Sequence, residues 1–180
     1  MDKGFYSTSN VNAMLDSASP VRFIQAVPFT ARFAKKQVDS ERKDIDQMSN
    51  TIVYGGDSIR GVIKLRSCNG KHKLYTHIYY HAMKTMKVRE ELFSYVTMLK
   101  EQAEKNSAEA KQKEDYTKYL LIRNSDKSTS GYTITIKDDV IAKELETAGW
   151  MLLVSNDISS ATEAIAIYRE KDVVEKGFFV

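Results

Sequence analysis

The chain has 180 residues, 42% hydrophobic and 28% charged, enough for one core with an insertion but not for two large domains. Its formal net charge of +3 is mildly basic, which permits a nucleic-acid partner without demanding one. A single cysteine (Cys68) excludes an internal disulfide, no apolar run reaches the roughly 20 residues of a membrane span, and Met1-Asp2-Lys3-Gly4 begins no apolar leader, so the expected setting is the cytoplasm.

Residues 2–7 read as a loop. Ser7, Thr8 and Ser9 offer N-caps for a short helix with Val11, Met14, Leu15 and Ala18 on one side, ended by Pro20. Residues 21–27 alternate too little for a solvated strand and are expected in a buried sheet. Residues 29–50 are charged and irregular, with some helix. Residues 51–54 form a short strand ending at Gly55-Gly56. Residues 60–68 and 71–80 flank Asn69-Gly70, a pair typical of a two-residue hairpin turn because both residues tolerate positive φ. With such a turn Leu65 faces Leu74 and Arg66 faces Lys73, and Lys64, Arg66, Lys71, Lys73 and Tyr75 gather on one face.

Residues 84–113 predict a long helix with Val88, Leu92, Tyr95, Leu99 and Ala103 as its apolar stripe. Beyond Ala103 it is polar almost all round and is expected to project into solvent. A strand at 119–123, a loop at 126–131 and an alternating strand at 132–136 follow. Then come a short helix at 138–148 with Gly149 as its C′ residue and an apolar strand at 150–154. Ser160 and Glu163 make a capping box for a last helix that runs to Val180.

At 100° per residue, Ile167, Val174 and Phe178 share one stripe of this last helix, and Tyr168, Lys171 and Glu175 share the stripe beside it. Glu175 is then expected at the edge of a buried face, flanked by an aromatic hydroxyl and an ammonium. That setting suits a carboxylate holding a metal near a phosphate. Spacing alone also describes an ordinary amphipathic helix with charges along its boundary.

The same residues resemble a family. Tyr-x-x-Arg-x-x-x-Glu-x-x-x-x-x-x-Lys is the signature of a large group of DDE-type insertion-sequence transposases. Tyr168 and Glu175 match its Tyr and Glu, Lys171 stands where Arg is usual, and the final Lys would fall past Val180. Asp2-Lys3-Gly4-Phe5-Tyr6 resembles the Asp-x-Gly-Phe/Tyr segment that carries the family's second catalytic Asp. The order of Asp segment, helix, strand, long insertion and Glu helix is also the family's, so the resemblance spans nearly the whole chain.

The resemblance implies an α/β fold: an incomplete RNase H-like core from residues 1–28 and 150–180, with a β-rich insertion at 29–149 before the catalytic helix. It implies metal-dependent DNA cleavage and strand transfer in transposition. Asp2 and Glu175 would be ligands of Mg2+ or Mn2+, two ions about 4 Å apart in the complete family site. Such hard cations prefer oxygen ligands, so several carboxylates must converge. Tyr168 and Lys171 would touch DNA phosphates near the metal, Lys lacking the bidentate fork of Arg. The family's first Asp would lie upstream of Met1, so the chain alone is expected not to cut DNA.

The hairpin face of Lys64, Arg66 and Lys73 is expected to bind a phosphate backbone, which would relieve the repulsion of like charges set opposite each other. Its other reading is a solubilising strand face. Trp150, the only tryptophan, is a candidate for stacking on an unpaired base, beside the commoner role of core residue. His72, His77 and His81 lack the spacing of a zinc site. The implied partners are double-stranded DNA at the transposon ends and a full-length transposase or a separately encoded N-terminal half, with no membrane. The competing functions are a non-catalytic DNA-binding or transposase-inhibiting remnant and a pseudogene product. For folding, residues 51–149 are expected to be the most protected unit and residues 1–28 and 160–180 to be loose, their stripes lacking the sheet they are patterned to cover.

Overall fold

The computed structural model describes residues 6–18, 21–68, 71–125 and 131–177, with backbone only for Cys68 and residues 171–177. In chain order the elements are α1 (Thr8–Leu15), β1 (Ile24–Ala26), α2 (Arg32–Glu41), β2 (Thr51–Tyr54), β3 (Asp57–Cys68), β4 (His72–Tyr80) and α3 (Ala82–Lys105). There follow α4 (Ser107–Ala110), α5 (Glu114–Tyr119), β5 (Leu120–Asn124), β6 (Tyr132–Ile136), α6 (Asp138–Leu145), β7 (Trp150–Ser155) and α7 (Ala161–Gly177). They form two compact units, residues 1–82 with 150–180, and residues 83–149.

The first unit is mixed α and β. Its five-stranded sheet has the order β1-β7-β4-β3-β2, and every pairing is antiparallel. Residues 29–82, grouped at the sequence level with the insertion, thus supply three strands to the sheet that also holds β1 and β7. Successive strand residues point to opposite faces, and both faces are covered. Leu74, Ile78, Trp150, Leu152, Val154 and Val27 pack with Val11 of α1, Ala34 and Val38 of α2, and Ile45. Ala26, Ile52, Ile59, Tyr79 and Leu153 pack on the other side with Ile165 of α7.

This explains why residues 150–154 read as a continuous apolar run. Leu152, Leu153 and Val154 point alternately into two cores and are all at most 1% exposed. Each such burial contributes roughly 1.5–3 kcal/mol. The same packing corrects the expectation that residues 21–28 are loose. Phe23, Gln25, Ala26 and Val27 are buried. The Phe23 amide donates to Asn156 Oδ1 at 3.0 Å, Asn156 Nδ2 donates to the Val21 carbonyl at 2.8 Å, and the Val27 amide donates to the Leu152 carbonyl at 2.9 Å.

In the second unit the long polar helix expected at 84–113 does not run on into solvent. It stops at Lys105. Asn106 caps α4, its side chain accepting from the Glu109 amide at 3.4 Å, and Ser107 and Ala110 are buried. The chain returns onto Val96, Leu99 and Ala103, joined by Tyr119, Leu120, Ile122 and Ile141. Val96, not Tyr95, occupies the buried stripe of α3; Tyr95 is 38% exposed. β5 and β6 form an antiparallel hairpin with Ile122 opposite Ile134.

Candidate functional site

The last helix is fixed at its start. Ser160 Oγ accepts the Glu163 amide at 3.3 Å, which satisfies an amide that the helix leaves without a partner. The Tyr79 hydroxyl donates to the Ala161 carbonyl at 2.7 Å, tying the first turn to β4. Burial pushes that hydroxyl well above its ordinary pKa, so it stays a donor. α7 lies against β1, β2 and β3.

Ala164 and Ile165 are fully buried, and Tyr168 is half-buried against the core formed with Ile52, Ile59 and Leu153. The Arg169 guanidinium covers the Tyr54 ring at 5.1 Å. Ile167 is 38% exposed, so the stripe facing the sheet runs through 164, 165 and 168 and not through Ile167. The helix continues unbroken to Gly177. Positions 171 and 175 therefore follow Tyr168 at one and two turns along the same helix. The side chains of Lys171 and Glu175 lie outside the described residues, as does the whole of Asp2. Among the described residues no group of three or more His, Cys, Asp or Glu converges on a common point.

Beside α7, Phe23, Ile24, Ile158 and Ile167 line an apolar recess of about 350 Å³, and the Arg22–Asp157 ion pair stands among its walls.

The hairpin corrects the expected basic face. Cys68 pairs with His72, so three residues connect the strands where the expectation had two. A shift of one residue sends each side chain of one strand to the other face. Arg66 pairs with Leu74 and Lys64 with Thr76, whereas Lys73 pairs with Ser67 and Tyr75 with Leu65. Lys64 and Arg66 thus share the face covered by α1 and α2, and Lys73 lies on the opposite one. Lys64 Nζ is paired with Glu41 and donates to Ser40 Oγ at 2.8 Å. Arg66 lies over the Phe33 ring at 4.2 Å.

Trp150 belongs to the core. It is 8% exposed, its ring centroid is 4.9 Å from that of Tyr80, and the Arg42 guanidinium is 5.5 Å from the ring. It is not presented for stacking on a base.

Sequence reasoning passed over two buried polar features. His77 is fully buried, with Nε2 2.9 Å from Ser155 Oγ, and Ser155 Oγ donates to the Ile158 carbonyl at 3.2 Å. Desolvation lowers the His77 pKa from 6.5 to about 4. Gln25 and Thr76 flank Val154 in one row across the sheet, and their side-chain polar atoms are buried without hydrogen-bond partners. No sequence pattern marks either feature, because burial of a polar residue depends on strand order.

Comparison with protein-family models, with curated proteins and with solved structures finds no match. Among the described residues no helix is long and apolar enough to cross a membrane.

Proposed function

We propose that this chain is part of a DDE-type insertion-sequence transposase and that Asp2 and Glu175 are carboxylate ligands of Mg2+ or Mn2+ in DNA cleavage and strand transfer. The observation that carries the reading is the spacing Tyr168-x-x-Lys171-x-x-x-Glu175 on one unbroken helix that follows β7. It is supported at the other end of the chain by an Asp-x-Gly-Phe/Tyr segment that leads into a capped helix and then into β1, the neighbour of β7. In this reading β1, β7 and α7 are pieces of an RNase H-like core, and the residues between β1 and β7 are the insertion, three strands of which extend the same sheet.

The assigned ligands offer oxygen donors only, which suits a hard divalent cation. When bound, a pair of such ions activates the attacking oxygen and stabilises the leaving one. The chain's own residues position the DNA. Tyr168 is held half-buried at the boundary of the sheet, and the Lys171 ammonium one turn on is the charge for a phosphate. As a point charge it gives less directional hold than the usual Arg. The transposon ends are the DNA partner, and a full-length transposase or a separately encoded N-terminal half is the protein partner.

The test is strand transfer. The chain is mixed with Mg2+ or Mn2+, DNA bearing the element's ends, and a full-length transposase or N-terminal half of the same element. Joined products are expected, and Glu175→Gln or Asp2→Asn should reduce them at least a hundredfold. DNA binding with no metal-dependent product in the complete mixture would favour the non-catalytic, inhibitor-like reading instead.

A further inference from the structure

Between the first turns of α1 and the distal half of β3 lies a recess of about 280 Å³, lined by Tyr6, Thr8, Val11, Asn12, Phe33, Arg66 and Ser67. Tyr6, Thr8, Asn12 and Arg66 are the polar residues of its lining on the α1 side of the sheet, with no carboxylate among the described lining residues. The volume falls below the roughly 300–1,000 Å³ of sites that enclose a small molecule. It suits a single tetrahedral oxyanion better than a whole nucleotide.

Arg66 is the decisive residue. Its register partner is Leu74, so its stem points to the apolar face of the sheet. Its guanidinium lies on the Phe33 ring at 4.2 Å, which fixes its plane. Its Nε is buried without a hydrogen-bond partner. Lys64, the next residue along the same strand face, is neutralised by Glu41. Arg66 forms no ion pair among the described residues. Arg66 lines the recess, and an anion seated there in the plane of the guanidinium would be held by paired, charge-assisted hydrogen bonds. The N-terminal end of α1 contributes positive partial charge on the same side.

From this geometry we infer that the recess is a phosphate-binding site, gripped by Arg66 and supported by Thr8, and that its ligand is a phosphate group of the DNA backbone. The phosphate chemistry stands on the recess alone. The choice of DNA as its source rests on the transposase reading.

The test is a 15N NMR titration of the whole chain with inorganic phosphate, followed at the Arg66 Nε–Hε signal and at the amide of Thr8. Sodium acetate at equal ionic strength is the reference. A saturable shift with phosphate is expected, with no saturable shift for acetate. Arg66→Gln should abolish it, Arg66→Lys should weaken it at least tenfold, and Lys64→Ala should leave it intact. Dispersed spectra of the Arg66→Lys and Lys64→Ala variants secure the comparison if Arg66→Gln fails to fold. A duplex oligonucleotide should then shift the same signals and compete with phosphate. The salt dependence of its binding should fall by about one phosphate contact in Arg66→Lys.

No saturable shift, or an equal shift with acetate, overturns the phosphate site. Phosphate binding without competition from DNA overturns the assignment of the backbone as ligand. Phosphate binding that persists while strand transfer fails leaves this site standing and removes the transposase reading.

Discussion

Ser155 has one hydroxyl proton, and it is given to the Ile158 carbonyl, so the contact with His77 must use a proton carried by His77 Nε2. The neutral ring with its proton on Nε2 is therefore the folded form, and Nδ1 is left as a buried lone pair without a partner. Burial makes a second proton hard to add, lowering the pKa from 6.5 to about 4. Between those values the unfolded chain takes up a proton that the folded chain refuses. Stability from this residue is fully present above about pH 6.5, falls as pH drops, and is lost by about pH 4. The difference between 6.5 and about 4 corresponds to about 3 kcal/mol. The urea midpoint of the wild type should drop between pH 7 and pH 4 by clearly more than that of His77→Gln. Parallel profiles for the two proteins would contradict the account. In the sequence, His77 was weighed only as a zinc ligand and set aside for lack of spacing, since nothing in its neighbours announces that strand order will bury it. Trp150 was legible as core, because it opens an apolar run.

At the scale of elements, local chemistry was readable where one interaction decides it. Ser7 and Ser160 cap the helices they precede, and the strands at 51–54 and 132–136 have the expected bounds. The register of the β3–β4 hairpin was not. Asn69-Gly70 marks the turn, but the alternation in β3 is ambiguous: Ile63 and Leu65 alternate with Val62, Lys64 and Arg66. The Asn-Gly pair argued for a two-residue turn, which would set Leu65 opposite Leu74. The structure leaves Leu65 55% exposed and turns Lys64 and Arg66 inward. That is tolerable because α2 supplies Glu41 and Phe33, against which the long side chains can lie. Residues 29–50 looked irregular, so this cover could not be foreseen. The break at Asn106 escaped for a related reason. Ser107 and Ala110 are too small to register as an apolar stripe, yet both are buried.

At the scale of the molecule, the chain leaves the sheet at the end of β4 and re-enters it at the start of β7, where Tyr80 and Trp150 are direct partners. Antiparallel partners lie about 4.5–5.5 Å apart, so a short turn can bridge them. Replacing residues 83–149 by a linker of about four residues, the length of an ordinary hairpin loop, should leave the rest folded. Slow hydrogen exchange should then persist in β4 and β7, two of the three inner strands of the sheet. Loss of that protection would show that the first unit depends on the second. The functional reading rests on the two ends of the chain, Asp2 and Glu175, holding one cation site, and paramagnetic broadening by Mn2+ tests this most directly. Substoichiometric Mn2+ added to the whole chain should broaden the amides next to Asp2 and those around Glu175 together. Excess Mg2+ should reverse the effect, and Asp2→Asn or Glu175→Gln should abolish it at both ends. Absence of localised broadening, or broadening at one end that survives substitution at the other, would contradict a shared metal site.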